Sequence, residues 1–459
     1  MRARRNRPAD VRPVHALIKR LHARLGDFWW YSLMLFCACR AADLTNAFVG
    51  LWLVPKYVDP KELGALLPLS QFANVLALPA AVFASTFRNE LTTLAVNREF
   101  GKVKALMRGV FIATAAFLFL AIVISRLVLP LFLTRIRIVE GSLGWLILLS
   151  AFISCVAPVY SNAIQSLKRF RSYSLISLLG APIRLVTMCL ALPFRPVSGY
   201  FVGQTSTPLF SIAASVFCLR KELGGKAESY WSRAVVRRFA RLFLTLTLGA
   251  VAGATTALVE TTVLRQRLCD LDSAGYYMAT RFSDIASFLA LTLIFTLFPF
   301  TAELAAKGRD ARPLVVKAAL AVLGSNALLA ALFGAFGGQV LSLLPHGAEY
   351  AAYGWVIPWM IAITTVNYLS SLYTTAETSA NRFGFYRWML PLQAAYALLL
   401  LLVTGYGHFA AFIPASWSAF LARNNVTTLS AMLWWMTAFG LVRLAFAAGA
   451  MLRKPPRAA

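Results

Sequence analysis

Two Arg-x-x-Asp sequences lie inside long apolar segments of this 459-residue chain. The first is Arg40-Ala-Ala-Asp43, and the second is Arg281-Phe-Ser-Asp284. In a helix, residues three apart share a face, so each arginine lies beside its aspartate. An ionised group at the bilayer centre costs about 2.5–3.5 kcal/mol on insertion scales and normally faces a wet cavity or a protein interior. Arginine in such a cavity suits phosphate, because its planar guanidinium donates two parallel hydrogen bonds.

Two interpretations of these pairs stay open. Each arginine and aspartate can simply neutralise one another and so lower the cost of inserting the helix. Alternatively, the aspartates hold Arg40 and Arg281 ready for an anionic substrate in a water-filled cavity. The two pairs do not align under the internal repeat described below, so they are not relics of a duplication, which favours the second interpretation.

Further charged residues lie in or at the edges of apolar segments. Glu260, with Asp43 and Asp284, could take part in proton or sodium coupling, because intramembrane carboxylates mark ion pathways. The same carboxylates could instead serve only as counter-charges. Weaker candidates for substrate contact are Arg88, Glu90 and Arg184. Arg184 is ranked low because it stands alone, as Arg443 does, and both can reach lipid headgroups.

Metal and cofactor chemistry is not suggested by the composition. The six cysteines form no CxxC pair, and the four histidines are scattered without metal-ligand spacing. We therefore predict no metal site and no cofactor.

The elements that carry these residues are predicted to be membrane-spanning helices. The chain is 59% hydrophobic and 14% charged, with a mean hydropathy of +0.67, whereas soluble domains carry about 25% charged residues. Runs of about 20 apolar residues can cross a bilayer as helices. Twelve such spans are predicted, near residues 28–54, 64–86, 109–130, 143–165, 172–193, 199–219, 242–263, 275–298, 314–336, 351–373, 385–404 and 429–450.

The distribution of basic residues predicts the orientation. The net charge is +27, and Lys and Arg are several times more frequent in one alternating set of loops, which includes 1–27 and 220–241. Basic loops stay in the cytoplasm, so both termini are predicted to be cytoplasmic. The basic charge then records topology, and we expect membrane lipids but no nucleic acid as partners.

The chain carries a faint internal repeat. Asp59 and Gly64 recur 211 positions later as Asp270 and Gly275. Further matches at nearly the same spacing are Phe87 with Phe298, Gly144-Trp145 with Gly354-Trp355, and Arg169-Phe170 with Arg382-Phe383. A duplicated unit with an even number of spans keeps its orientation, so the two halves are related by an axis along the membrane normal.

This repeat predicts the division of the chain. The boundaries are a basic amphipathic cytoplasmic segment at 1–27, a six-helix bundle at 28–219, a cytoplasmic linker at 220–241, a second six-helix bundle at 242–450 and a cytoplasmic tail at 451–459. The predicted fold is an all-α integral membrane protein, with the substrate path between the bundles.

The chain resembles the multidrug/oligosaccharidyl-lipid/polysaccharide (MOP) exporter superfamily, and within it the bacterial O-antigen and polysaccharide flippases. The resemblance covers nearly the whole chain and is carried locally by 53–64 and by 271–277. It implies a MATE-like fold, alternating access, a bacterial inner membrane location and a cavity lined by spans 1, 2, 7 and 8. All five leading candidates fall on spans 1, 7 and 8.

The resemblance also implies a function. It suggests export of a polyprenyl-pyrophosphate-linked oligosaccharide, such as an O-antigen unit for lipopolysaccharide or another surface polysaccharide. A polysaccharide polymerase or glycosyltransferases are the protein partners it implies. The alternative is a cation-coupled exporter of drugs or metabolites. We expect no enzyme activity, because a glycan polymerase or ligase usually carries a large outer catalytic loop and none is present in the sequence.

Overall fold

The structure is a computed structural model that describes residues 37 and 39–452, except 98, 139–140, 168, 221–223, 225–227, 229, 307–308, 380–381 and 405–427. Every long element in this part of the chain is a helix, which confirms the predicted all-α fold. We number the twelve long helices α1 (39–57), α2 (Leu66–Val96), α3 (Phe100–Arg135), α4 (Gly141–Ser166), α5 (Phe170–Ala191), α6 (Pro196–Leu219), α7 (Arg233–Arg267), α8 (Asp270–Ala306), α9 (Arg312–Ser342), α10 (Val356–Ser379), α11 (Tyr386–Thr404) and α12 (Leu429–Leu452).

Each of these helices corresponds to one predicted span. Helices form here because an apolar run in lipid must satisfy its backbone hydrogen bonds internally. Within the described residues, seven helices have the length and apolar composition needed to cross a membrane: α4, α5, α6, α7, α9, α10 and α12. The chain is therefore a multi-pass membrane protein.

The helix ends differ from the predicted span ends. Helices α3, α7 and α8 are 35 to 37 residues long and extend beyond the apolar runs. Span 10 was predicted from residue 351, but α10 begins at Val356, after a short 3₁₀ turn. Just before α10, the backbone of Gly354 packs directly on that of Gly338 in α9, where a side chain has no room.

The contacts between helices repeat from one half to the other. In the first half α4 packs against α2 and α6, and in the second α10 packs against α8 and α12 in the same way. Between the halves, α2 packs on α7 and α1 packs on α8. This matched pattern confirms two six-helix bundles related by a parallel repeat.

The buried core is organised differently at the two ends of the molecule. We call the end that carries the α1–α2, α3–α4 and α7–α8 connections the outer end, following the predicted orientation. At that end a single apolar core takes residues from both halves, for example Leu66 and Tyr277. At the inner end the halves have separate cores, one around Leu106 and one around Val322. The halves are therefore joined at the outer end and part toward the inner end.

A cluster of charged residues closes the outer end. Arg265 at the end of α7 is 3% exposed and donates to the Lys61 carbonyl at 2.8 Å and the Asp270 carboxylate at 2.7 Å. Arg137, which follows α3, reaches the same carboxylate at 3.2 Å and the Gln266 carbonyl at 3.3 Å. Lys61 and Arg137 belong to the first half and the other three residues to the second. We call these five residues the outer latch.

Two more contacts support the outer latch. Gly64 packs against the backbone between Ser273 and Ala274, where a Cβ has no space. The Tyr353 hydroxyl donates to Asp272 at 2.7 Å. Burial, and then the carboxylate that accepts this hydrogen bond, raise the pKa of Tyr353, so it keeps its proton. The closed outer end is thus fixed by packing as well as by charge.

The end of the linker lies on the first half. Trp231 donates its indole N–H to the Ala105 carbonyl at 3.1 Å and covers Gly109 of α3. Phe239, in the first turns of α7, joins the inner core of the first half. Part of the apolar face of the predicted amphipathic linker therefore packs against α3. The predicted segment 1–27 lies outside the described residues.

Candidate functional site

The two helices that carry the Arg-x-x-Asp sequences lie side by side between the halves. Helix α1 widens into a π-helical stretch at Val49–Leu53, and Arg281 of α8 lies against Gly50 within it. A Cβ on Gly50 would come within 2.9 Å of Arg281 Cδ, so only glycine leaves this side chain its path. Such π-helical stretches often occur at functional sites, and here one seats an intramembrane arginine.

Both ion pairs form within their own helices. Arg40 Nη2 lies 3.0 Å from Asp43 Oδ2, and Arg281 Nη1 lies 3.0 Å from Asp284 Oδ2. Arg40 also donates to the Phe288 carbonyl at 3.0 Å and stacks over that ring at 5.1 Å. The Arg40 pair therefore links α1 to α8. The Arg281 pair is more exposed, since the Asp284 side chain is 51% exposed.

A cavity of about 230 Å³ lies between α1, α5, α6 and α8, and we call it the cationic chamber. Its lining includes Asp43, Arg281 and Asp284, whereas Arg40 lies beside it. Arg184 of α5 also lines it and donates to Asn46 at 2.8 Å. Arg184 therefore does not stand alone, because α5 turns it inward toward α1. With Arg40 counted, three arginines and two aspartates surround the chamber among the described residues.

A second cavity of about 330 Å³ adjoins the first between α2, α4, α6 and α8, and we call it the polar chamber. The two share Tyr200, Gln204, Arg281 and Asp284. Gln204 donates to the Tyr200 hydroxyl at 2.8 Å. The rest of the polar chamber is mostly neutral and hydrogen-bonding, with Ser70, Gln71, Asn74, Ser150, Ser154 and Thr280. Apart from Arg281 and Asp284 at its border with the cationic chamber, the polar groups that line this space are alcohols and amides.

Glu260 lies apart from both chambers. Its carboxylate interacts electrostatically with Arg443 of α12 and lies beside Tyr396 of α11, inside the second half. Arg443 in turn donates to the Asn367 side chain and lies 5.8 Å from the Phe439 ring. The resemblance implies that span 7 lines the central cavity, but Glu260 of this span does not line either chamber, and Arg443 does not stand alone. Arg88 and Glu90 lie in α2, but their side chains fall outside the described residues.

Several site residues were not identified from the sequence. Asn46 follows Asp43 by three positions, so α1 presents an inward stripe that a search for polar residues at helical spacing would have found. Polar residues at helical spacing also mark two other stripes, because Tyr200 and Gln204 lie four positions apart, as do Ser70 and Asn74. Tyr277 was not identified because its spacing is that of any apolar helix face.

Comparison with solved structures identifies the type of fold. No protein-family model and no curated protein matches the sequence. Among solved structures, a multidrug resistance MATE family transporter of the MOP superfamily, inward-facing, is similar with a TM-score of 0.63 and 11% identity, over 92% of this chain and 98% of that chain. The chain has a MATE-like fold.

Two other neighbours share this MATE-like fold. The lipid II flippase MurJ, in an inward closed conformation, gives a TM-score of 0.60 at 11% identity, covering 93% of this chain and 88% of its own. A MOP superfamily transporter from Pyrococcus furiosus is described as having a binding pocket of reverse polarity that suggests a different function. It gives a TM-score of 0.58 at 14% identity, covering 92% of this chain and 94% of its own. The predicted MATE-like architecture is confirmed, and the two chambers lie where its halves meet.

Proposed function

We propose that this protein moves a polyprenyl-pyrophosphate-linked oligosaccharide across the bacterial inner membrane by alternating access. The observation that carries this proposal is the pairing of the two chambers. A cationic space suited to phosphate opens directly onto a neutral, hydrogen-bonding space suited to sugar hydroxyls, and Arg281 borders both. A glycan joined to a pyrophosphate presents these two chemistries in the same order.

Arg281 and Arg184 are the arginines that we assign to the pyrophosphate. Both line the cationic chamber, and Arg184 is held by neutral Asn46 rather than by a carboxylate. A guanidinium binds phosphate oxygens through charge-assisted hydrogen bonds worth about 1.5–3 kcal/mol each. Asp284 then acts as the exchangeable partner that keeps the Arg281 guanidinium aimed at the chamber until phosphate replaces it.

Arg40 and Asp43 have a different role in this proposal. Arg40 is bound to the Phe288 carbonyl and ring across the contact between α1 and α8, so it helps fix the relative position of these helices. Asp43 neutralises it and lines the chamber. The two interpretations of the Arg-x-x-Asp sequences thus divide between the pairs, with the Arg40 pair structural and the Arg281 pair in contact with substrate.

The arrangement of the halves supports the transport step. They are joined at the outer end by one core and the outer latch, and their inner cores are separate. The substrate headgroup enters from the inner end, with its polyprenyl chain left in lipid. Outward release then requires the outer latch to open while the inner ends come together. The linker held by Trp231 follows the first half in this motion.

Substrate affinity tests this assignment. Binding of a polyprenyl-pyrophosphate trisaccharide to the detergent-solubilised full chain is measured by thermophoresis for the wild type and for Arg281→Gln. We expect the variant to bind roughly tenfold to a hundredfold more weakly, from loss of one charge-assisted hydrogen bond. The matched control is Arg237→Gln, an exposed arginine at the inner end of α7. Equal affinity of all three proteins would contradict the role of Arg281.

A second candidate function rests on the carboxylates of the same chamber. Asp43 and Asp284 both line it, and two carboxylates there suit a cationic drug or an exported metabolite coupled to a proton or sodium ion. Glu260, compensated by Arg443, would serve coupling within the second half. Proton-driven efflux of ethidium from proteoliposomes that fails in Asp284→Asn, with no affinity for the pyrophosphate-linked glycan, would favour this function over the first.

A further inference from the structure

A groove runs along the surface of the first half, between the outer ends of α3 and α4. It encloses about 560 Å³ and is lined mainly by apolar side chains, among them Leu129, Leu133 and Leu148. Trp145 forms one wall and is 56% exposed. Its floor is set by Gly144, since a Cβ there would come within 2.9 Å of Leu129 Cδ2. This volume lies within the range of about 300–1,000 Å³ that holds a ligand.

Two arginines line the groove at different depths. Arg137 lies at its outer mouth, where its side chain is 51% exposed and its φ of 63° lies in the left-handed region. Arg126 lies nine residues before the outer end of α3, so by the helical rise its Cα is about 14 Å from that end along the helix axis. Its guanidinium stacks on the Trp145 ring at 4.8 Å, about 6 Å below the start of α4. Arg126 therefore reaches toward the membrane surface along the groove wall.

This spacing of charges matches a membrane lipid. A phospholipid carries its phosphate at the surface, its ester carbonyls several ångströms deeper, and its acyl chains below them. Arg137 is placed for the phosphate, Arg126 for the ester oxygens and the apolar wall for a chain. Two cations make an anionic headgroup the better fit, because arginine binds phosphate through its planar fork.

The groove is also connected to the outer latch. Arg137 donates to Asp270 at 3.2 Å and to the Gln266 carbonyl at 3.3 Å, both in the other half of the molecule. A lipid phosphate on the exposed side of Arg137 would lie close to the Asp270 carboxylate, and like charges repel. Lipid binding therefore weakens the attraction between Arg137 and Asp270.

We propose that the groove between α3 and α4 binds one anionic phospholipid of the outer leaflet, which loosens the outer latch through Arg137. This site is independent of the substrate chambers, so its test does not depend on the identity of the transported molecule. The proposal makes two separable claims, one about binding and one about the conformation of the outer end.

Native mass spectrometry tests the binding claim. The full chain is extracted from nanodiscs of equal phosphatidylglycerol and phosphatidylcholine, and the retained lipids are counted. We expect one retained phosphatidylglycerol in the wild type and roughly tenfold less in Arg137→Gln, for loss of one charge-assisted contact. Thr134→Trp fills the groove without removing a charge, because Thr134 is exposed on its wall, and should lose the lipid too. The matched control, Arg135→Gln, alters an exposed neighbour outside the groove and should retain it.

The conformational claim is tested in nanodiscs with and without phosphatidylglycerol. Spin labels at Lys56→Cys and Ala348→Cys report the distance between the two halves at the outer end. We expect phosphatidylglycerol to raise the population with the longer distance in the wild type and to have no effect in Thr134→Trp. Equal retention of both lipids, or equal loss in Arg135→Gln and Arg137→Gln, would overturn the site. Specific retention with an unchanged distance would overturn its link to the outer latch.

Discussion

Replacing Arg265 should open the outer end of the protein. Arg265 is buried and donates across the two halves to the Lys61 carbonyl at 2.8 Å and, more weakly, to the Ile136 carbonyl at 3.4 Å. These bonds exist only while the outer end is closed. Arg265→Met keeps the length of the side chain and removes both. One well-formed hydrogen bond from a charged donor contributes about 1.5–3 kcal/mol, and the longer one adds little.

The closed state should therefore lose about 2–3 kcal/mol relative to the open state, a shift of roughly thirtyfold to a hundredfold in their ratio. Pulsed electron–electron resonance between labels at Lys56→Cys and Ala348→Cys, with the native cysteines replaced, measures the two populations. The exposed Arg267→Met is the matched control and should match the wild type. The reasoning is refuted if Arg265→Met stays folded, by its melting curve, and its distance distribution is unchanged.

Three further predictions concern the site and the linker. Arg281→Lys keeps the charge but loses the planar fork, so thermophoresis should show roughly tenfold weaker binding of the pyrophosphate-linked glycan; unchanged affinity would mean that a point charge suffices. Gly50→Val should displace Arg281 and weaken the same binding, whereas Gly334→Val, in open space, should not; equal effects would disprove the steric argument. Trp231→Ala removes the hydrogen bond to Ala105 and should lower the melting temperature by a few degrees, while Phe194→Ala, at a side chain that is 85% exposed, should leave it unchanged; equal effects would show that the linker contact does not stabilise the protein.

The fold was predictable because its main determinants are local in sequence. A run of about 20 apolar residues specifies a spanning helix wherever it occurs, and the repeat of Asp59 and Gly64 as Asp270 and Gly275 specifies the relation of the halves. Helix ends were less predictable, since they depend on contacts between helices. Just before α10, for example, Gly354 packs on Gly338 of α9, a close approach that no single segment reveals.

The candidate site was only partly predictable for the same reason. The Arg281 and Asp284 pair is local, because three positions on a helix fix its geometry. The position of Arg184 depends on the rotation of α5, which a helix apolar on most faces does not indicate. Likewise, the partner of Glu260 is Arg443, which lies 183 positions away and comes close only through the packing of α7, α11 and α12. Long-range pairing of this kind requires the folded structure.

The central claim is that the cationic chamber carries a pyrophosphate-linked glycan across the membrane. The most direct measurement is translocation of a fluorescent polyprenyl-pyrophosphate glycan in proteoliposomes, by the wild type, by Arg184→Gln with Arg281→Gln, and by the control Arg237→Gln. We predict that the wild type and control move the lipid at equal rates and that the double variant, folded by its melting curve, does not. Equal rates in all three would contradict the assignment of the chamber, and no translocation by the wild type would contradict the proposed function itself.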